Sequence, residues 1–336
     1  MAKKAKYRPI RQVWRQIREP LVTGLFAMAD FLIPRMSRRG VLALARVLGT
    51  LAASLDQHGR RVAQANLSLL FGRRMTPWRS RLLVRGSYQR AAAIALDSIW
   101  FGRDTAARVG AWTRVDELRR SGVMQERPAL VVAAHFGNWE MTLLVGGLAG
   151  IPLVAVVKEQ WSQVMTTRAN RLRSALGVRL VFADGALRAL LKEMKGGHVA
   201  GFVLDQHTSA KHGGVWVDFG GRPAMVSSGV ALLARRFQAP VYFGFPYARK
   251  DGRYDIYVPP PLRPLPGESD TELTQRIVHV LMRHIRRHPS QWMLMYPRWS
   301  RYPLGADPSQ YPFYARVQKA PATGGVPPAQ QGGAHV

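Results

Sequence analysis

Between Ala129 and Val258, short apolar runs alternate with stretches of helical period, and no other feature restricts the chain as much. The run Ala129 to Ala134 is apolar throughout, the pattern of a parallel strand buried on both faces. Further strands are expected at Leu153–Val157, Arg179–Phe182, Val199–Leu204, 215–219, Val241–Tyr247 and Tyr254–Val258. Helices are expected from Asn138 to Gly146 or Gly147 and over Arg168–Leu176, Leu187–Lys195, Val226–Phe237 and Glu272–Arg287. Strands alternating with helices give an α/β fold, a central and mostly parallel sheet flanked by helices. Met141 to Val157 carries no charge, yet its glycines and Pro152 break it into helix, turn and strand rather than a membrane span.

The amino-terminal part differs. Residues 1–20 are basic, with Glu19 the one acid. Apolar stretches follow at Leu21 to Ile33 and Val41 to Leu55, separated by Arg35, Arg38 and Arg39. Neither reaches the roughly 18–20 uninterrupted apolar residues of a span. Apolar helices between clustered cations fit a segment lying on an anionic membrane face, and a soluble helical subdomain with basic outer faces fits the same residues. The expected organisation is a membrane-associating helical segment over 1–55, an α/β domain over 56–318, helical in its first part (Arg79 to Trp100, for example), and a disordered tail over 319–336, rich in Pro, Gly, Ala and Gln.

The net charge is +29, carried by 49 Lys and Arg against 20 Asp and Glu. Charge alone leaves open an anionic lipid, a nucleic acid or an acidic protein as partner. There is no cysteine, which excludes disulfides, thiolate metal sites and thiol nucleophiles. The chain has no Gly-X-Gly-X-X-Gly loop, no phosphate loop ending Gly-Lys-Ser/Thr, no Gly-X-Ser-X-Gly elbow and no His-Glu-X-X-His helix. His207, His212 and Asp205 lack a clear further ligand, so no metal is expected, and no cofactor.

The sharpest local feature is His135-Phe-Gly-Asn-Trp-Glu140, directly after the apolar run. Residues five apart stand about 140° apart around a regular helix. The two can meet only if His135 sits on the strand-to-helix turn and Glu140 in the first helical turn. Gly137 permits the turn and Asn138 is a natural N-cap. An ionised Glu140 bonded to the imidazole would fix its tautomer, as a general base requires. A capping carboxylate beside a surface histidine is the alternative that these residues leave open.

His-X-X-X-X-Glu after a buried strand resembles the His-X4-Asp/Glu motif of the lysophospholipid acyltransferase superfamily. The form Phe-Gly-Asn-Trp-Glu is similar to the bacterial lipid A late acyltransferases, the lauroyl and myristoyl transferases. Further blocks resemble that family in the same order: Arg171-Leu-Arg173-Ser174 with Gly177, Leu204-Asp205-Gln206, Gly214-Val-Trp-Val-Asp-Phe-Gly220, Ser228-Gly229 through Arg235, and Pro289-Ser-Gln291-Trp through Arg298-Trp299. The likeness covers roughly residues 10–302. Departures are Asp218 for a proline and Tyr296-Pro297 for His-Arg.

The resemblance implies a glycerolipid acyltransferase-like fold and transfer of a fatty acyl chain from acyl carrier protein, or acyl-CoA, to a hydroxyl of a lipid A precursor. A different glycolipid, lysophospholipid or aminolipid acceptor is the variant reading; an anionic-lipid or nucleic-acid binding protein is the non-enzymatic one. It implies His135 as base held by Glu140, with substrate contacts from Asn138, Arg171, Arg173, Asp205, Gln206 and Arg298. The N–H groups near Gly137 and Asn138, or an arginine, are the expected oxyanion donors. The expected place is the cytoplasmic face of the inner membrane, peripheral or single-pass, with the lipid acceptor and an anionic surface as partners and no nucleic acid.

Overall fold

A computed structural model describes residues 23–72, 75–114, 116–157, 163–182 and 186–318. The basic residues 1–20 and the expected tail from 319 lie outside them. A helix over residues 23–32 leads to α1 (Arg38–Leu55), α2 (Gln57–Phe71), α3 (Pro77–Trp100) and α4 (Thr105–Trp112). Local chemistry sets their starts. Ser37 caps α1 by accepting the Gly40 N–H, and Thr76 caps α3 with Pro77 in the first turn, where no N–H partner is needed.

The central sheet is built from β2 (Ala129–Ala133), β3 (Leu153–Val157), β4 (Arg179–Phe182), β5 (Val199–Val203) and β8 (Val241–Phe243). Its order is β4-β3-β5-β2-β8, and every pair is parallel. α6 (Glu140–Leu148), α7 (Gln163–Ser174) and α8 (Ala186–Lys195) make the crossovers, after β1 (Thr113–Arg114) and the short α5 (Asp116–Arg120). All five β2 residues are buried, and their alternation divides the core. Leu130 and Val132 face a cluster with α8, α9 (Gly229–Phe237) and α10 (Asp270–Arg287). Ala129 and Val131 face a second cluster with α6, α1 and the end of α3. The result is a three-layer α/β/α arrangement, as the alternation of strand and helix patterns requires.

Two stretches differ from their sequence reading. The expected helix Val226–Phe237 begins only at Gly229, because Pro223–Ser227 is a strand, β7, that pairs antiparallel with β6 (Gly214–Asp218). The expected strand Val241–Tyr247 breaks at Gly244. A Cβ there would fall 2.3 Å from Thr142 Cγ2, so only glycine lets the chain pass. β9 (Phe245–Ala248) then joins a separate sheet of order β1-β10-β9, with β10 at Tyr254–Tyr257. A last small pair, β11 (Arg301–Tyr302) and β12 (Arg316–Val317), is parallel.

A buried polar cluster ties the amino-terminal helices to this frame. Arg38 of α1 forms a forked ion pair with Asp97 of α3 and donates to the Gly252 carbonyl at 3.1 Å. Tyr254 of β10 donates to the same carboxylate, as does Asn138 Nδ2 at 3.0 Å. Burial and the Asp97 charge raise the Tyr254 pKa, so the phenol keeps its proton and stays a donor. Asp97→Ala leaves Arg38 buried without its carboxylate and is expected to cost about 3–5 kcal/mol. Urea denaturation measures this, and a cost below about 1 kcal/mol contradicts it.

Candidate active site

His135 and Asp205 come from different strands and meet because of register. Ala133 of β2 lies opposite Val203 of β5, and each polar residue stands two positions further on. Both therefore leave the sheet at one level on its carboxyl edge, where open α/β sheets place ligands. His135 Nδ1 is 2.7 Å from Asp205 Oδ1, which also accepts the His135 backbone N–H at 3.0 Å. Asp205 Oδ2 accepts the indole N–H of Trp292 at 2.6 Å. Asp205 is 2% exposed. Burial works to raise its pKa. The imidazole charge, with hydrogen bonds from the His135 ring, Trp292 and the His135 N–H, outweighs that, and the carboxyl stays below its ordinary value.

A carboxylate on Nδ1 assigns the ring proton to Nδ1 and the lone pair to Nε2. Gln206 Nε2 lies 3.2 Å from that nitrogen, so its amide donates to it. The side chain of His135 is 16% exposed, enough for Nε2 to be reached from the edge of the sheet.

The contact expected between His135 and Glu140 is replaced by the one with Asp205. Glu140 does open α6, as expected, but its carboxylate accepts Arg173 Nη2 at 2.6 Å and Nε at 2.8 Å, and Trp139 Nε1 at 3.1 Å. Five residues along the turn carry Glu140 past the imidazole to α7, whose Arg173 meets it in a forked pair. Glu140 reaches the imidazole only indirectly, by accepting from Trp139, whose ring packs against that of His135 at 4.6 Å between centroids.

The turn itself is fixed by its backbone. Gly137 has φ +57°, and a Cβ on it would fall 1.7 Å from the Pro246 carbonyl oxygen. Its N–H donates to the Gln291 carbonyl at 2.8 Å, which removes it from the expected oxyanion donors. Met293 N–H donates to the His135 carbonyl at 2.9 Å, and Phe136 bridges to Trp292. The carboxy-terminal block Pro289–Met293 thus lies across the turn as a clamp. Asn138 is not the helix cap. It is 1% exposed and turned inward to Asp97, so it supports the turn from beneath, and its Oδ1 has no partner among the described residues.

The remaining sequence-derived residues lie apart from the imidazole. Arg171 is exposed on α7. Arg298 is fully buried, donating through Nη1 and Nη2 to the Met225 carbonyl at 3.1 Å and lying 4.2 Å from the Phe219 ring. Burial lowers its pKa to about 10, opposed by the charge of Asp205. It is a support beneath the site, not a surface contact for an anion. Phe219 stacks with Trp292 and meets Trp299 edge-on, so the blocks around residues 219, 292 and 299 form one aromatic base under Asp205. Nothing in the sequence pattern marks Trp292, Asp97, Arg38 or Gln291 as site residues. Trp292 and Gln291 lie inside the Pro289–Trp299 block, but no spacing links Trp292 to Asp205. Among the described residues, no group of three or more His, Asp and Glu could hold a metal ion.

The family of bacterial lipid A biosynthesis acyltransferases matches residues 6–301. The chain belongs to that family. No curated protein matches it. Membership makes the protein an acyltransferase of the lipid A biosynthesis type.

The turn gives a direct check. Gly137→Ala combines a clash with a left-handed φ and is expected to cost about 2 kcal/mol or more and to depress turnover. Gly150 also has a positive φ of +80° but nothing within 4 Å of its Cβ position. Gly150→Ala is expected to cost about 1 kcal/mol and to spare turnover. Chemical denaturation and a transfer assay separate the two.

Proposed function

We propose that the protein moves a fatty acyl chain from the thioester of acyl carrier protein to a hydroxyl of a lipid A precursor, with His135 as general base and Asp205 as its orienting carboxylate. The observation that carries this reading is the His135 Nδ1–Asp205 Oδ1 hydrogen bond of 2.7 Å, which leaves Nε2 as acceptor at the ligand edge. The acceptor hydroxyl takes the place of the Gln206 amide at Nε2. Its proton passes to Nε2 while its oxygen attacks the thioester carbonyl. The tetrahedral oxyanion collapses as the C–S bond breaks, and the imidazolium returns the proton to the departing thiolate. Asp205, held ionised by the contacts described above, stabilises the imidazolium in between. The displaced Gln206 amide is a donor for the oxyanion.

Glu140 and Arg173 hold Trp139 and α7 beside the base, and Arg171, exposed on the same helix, is suited to a phosphate of either substrate. Asn138 contributes by supporting the turn. The reaction would take place at the cytoplasmic face of the inner membrane. An exposed apolar row supports this, with Leu25, Met28 and Phe31 on the first helix and Leu48, Leu51 and Leu55 on α1. Among the described residues no helix is long and apolar enough to cross a membrane, and the proposed association is peripheral.

The test is transfer of labelled acyl groups from lauroyl-, myristoyl- and palmitoyl-carrier protein to a lipid A precursor, lysophospholipids and a glycolipid. Label is expected on the lipid A precursor, falling at least about 100-fold in His135→Ala with the circular dichroism spectrum retained. Label on another acceptor alone moves the protein to a different pathway. Undiminished transfer by His135→Ala contradicts the assignment of the base.

A further inference from the structure

α10 runs along the sheet from its amino edge to its carboxyl edge. At the start, Asp270 pairs with Arg235 near the end of α9, at 2.6 Å, shortly before β8 begins. At the far end, His284 stacks on Phe245, just after β8, with ring centroids 3.8 Å apart. The chain then becomes the clamp that holds Gly137, His135 and Asp205. Gln291 follows Arg287 by four residue steps, a backbone reach of at most about 14 Å. The last turns of α10 therefore lie at the catalytic edge.

His279, Arg283, Arg286 and Arg287 stand at intervals of four, three and one along this helix and share its exposed side. With Met282 they line a shallow groove. Arg276, earlier on the helix, is neutralised by Glu268 at 2.8 Å. Among the described residues, Arg283, Arg286 and Arg287 form no ion pair. From Leu273 to Ala306 the sequence contains no Asp or Glu, so α10 itself places no carboxylate among these cations; Asp218 of β6, whose backbone bonds to Gln275, is the acid on the neighbouring strand, and three guanidinium groups outweigh it. Among the described residues, no large apolar side chain is exposed between 266 and 303.

We propose that this groove seats an acidic helix of the protein that carries the acyl thioester. The proposal rests on the thioester-transfer reading above. A groove of unpaired guanidinium groups complements a row of carboxylates and steers their encounter. Without exposed apolar side chains it has nothing to insert among acyl chains, in contrast to the apolar row on the first helix and α1, so a hydrated acidic protein surface fits it better than a bilayer. Docking there would deliver the thioester arm to the carboxyl edge, beside His135.

The experiment compares two donors, acyl carrier protein and acyl-pantetheine, which has no protein to dock. Arg283→Glu/Arg287→Glu is expected to lower kcat/KM for the carrier relative to acyl-pantetheine at least about tenfold, mainly through KM. Arg283→Gln/Arg287→Gln, which keeps a good helix former at each site, is expected to give a smaller fall in the same direction. Arg79→Glu/Arg81→Glu, an equal charge reversal on the exposed side of α3, is expected to leave the ratio within about twofold. An equal fall in the α3 variant overturns the proposal in favour of bulk charge. An unchanged ratio in Arg283→Glu/Arg287→Glu, with lost binding to phosphatidylglycerol vesicles, overturns it in favour of the membrane. An unchanged ratio in an enzyme active with both donors removes the docking site and leaves the transfer reading intact. A wild-type enzyme that transfers from neither donor removes both.

Discussion

The hydrogen bond between His135 and Asp205 is the contact around which the rest of the structure is arranged. It joins two strands that lie side by side in the sheet but 70 residues apart in the chain. Their in-register pairing brings the two side chains out of the sheet together. The indole of Trp292 then holds the second carboxylate oxygen, and the aromatic base of Phe219, Trp292 and Trp299 sets the indole. Beneath that base lies the fully buried Arg298, whose guanidinium donates to the Met225 carbonyl. A buried charge is an expensive element to retain. Its position explains why it is there: it locks Met225 of β7 and Phe219 together under the site.

The turn that carries His135 is held from two sides. From above, the Pro289–Met293 segment bonds to Gly137 and His135. From below, Asn138 reaches the buried Arg38–Asp97–Tyr254 cluster. That cluster begins in α1, whose outer face is the apolar row proposed to meet the membrane. One helix therefore belongs both to the core that fixes the turn and to the proposed membrane surface.

Much of the fold is legible because buried parallel strands carry their own signature. Leu153–Val157 and Arg179–Phe182 occupy the very residues expected from the apolar runs. β7 is not legible, because Ala224, Met225 and Val226 serve a hairpin and a helix equally well until the pairing with β6 is known. Gly244 reads as part of one strand because its role depends on Thr142, a residue of another element. The site is half legible. His135 stands out by its place after an apolar run, and Asp205 and Gln206 by theirs. The expected contact of His135 with Glu140 is not the one the structure shows, since Glu140 pairs with Arg173 and His135 with Asp205. A motif spacing shows Glu140 near His135 along the chain, whereas Asp205 becomes its neighbour only through the order of strands and their register, which a single sequence does not reveal. Asn138 and Arg298 mislead for a related reason: a polar residue inside a motif reads as facing ligand, and both are buried supports.

The most direct test of the account is nuclear magnetic resonance of the His135 imidazole in the wild type, Asp205→Asn and Glu140→Gln, with His135→Gln to assign the signal. A carboxylate on Nδ1 gives a slowly exchanging, strongly deshielded Nδ1 proton. The account predicts that this signal persists in Glu140→Gln and is lost or moved far upfield in Asp205→Asn. A signal that survives in Asp205→Asn and disappears in Glu140→Gln would show that Glu140 holds the base and would contradict the account.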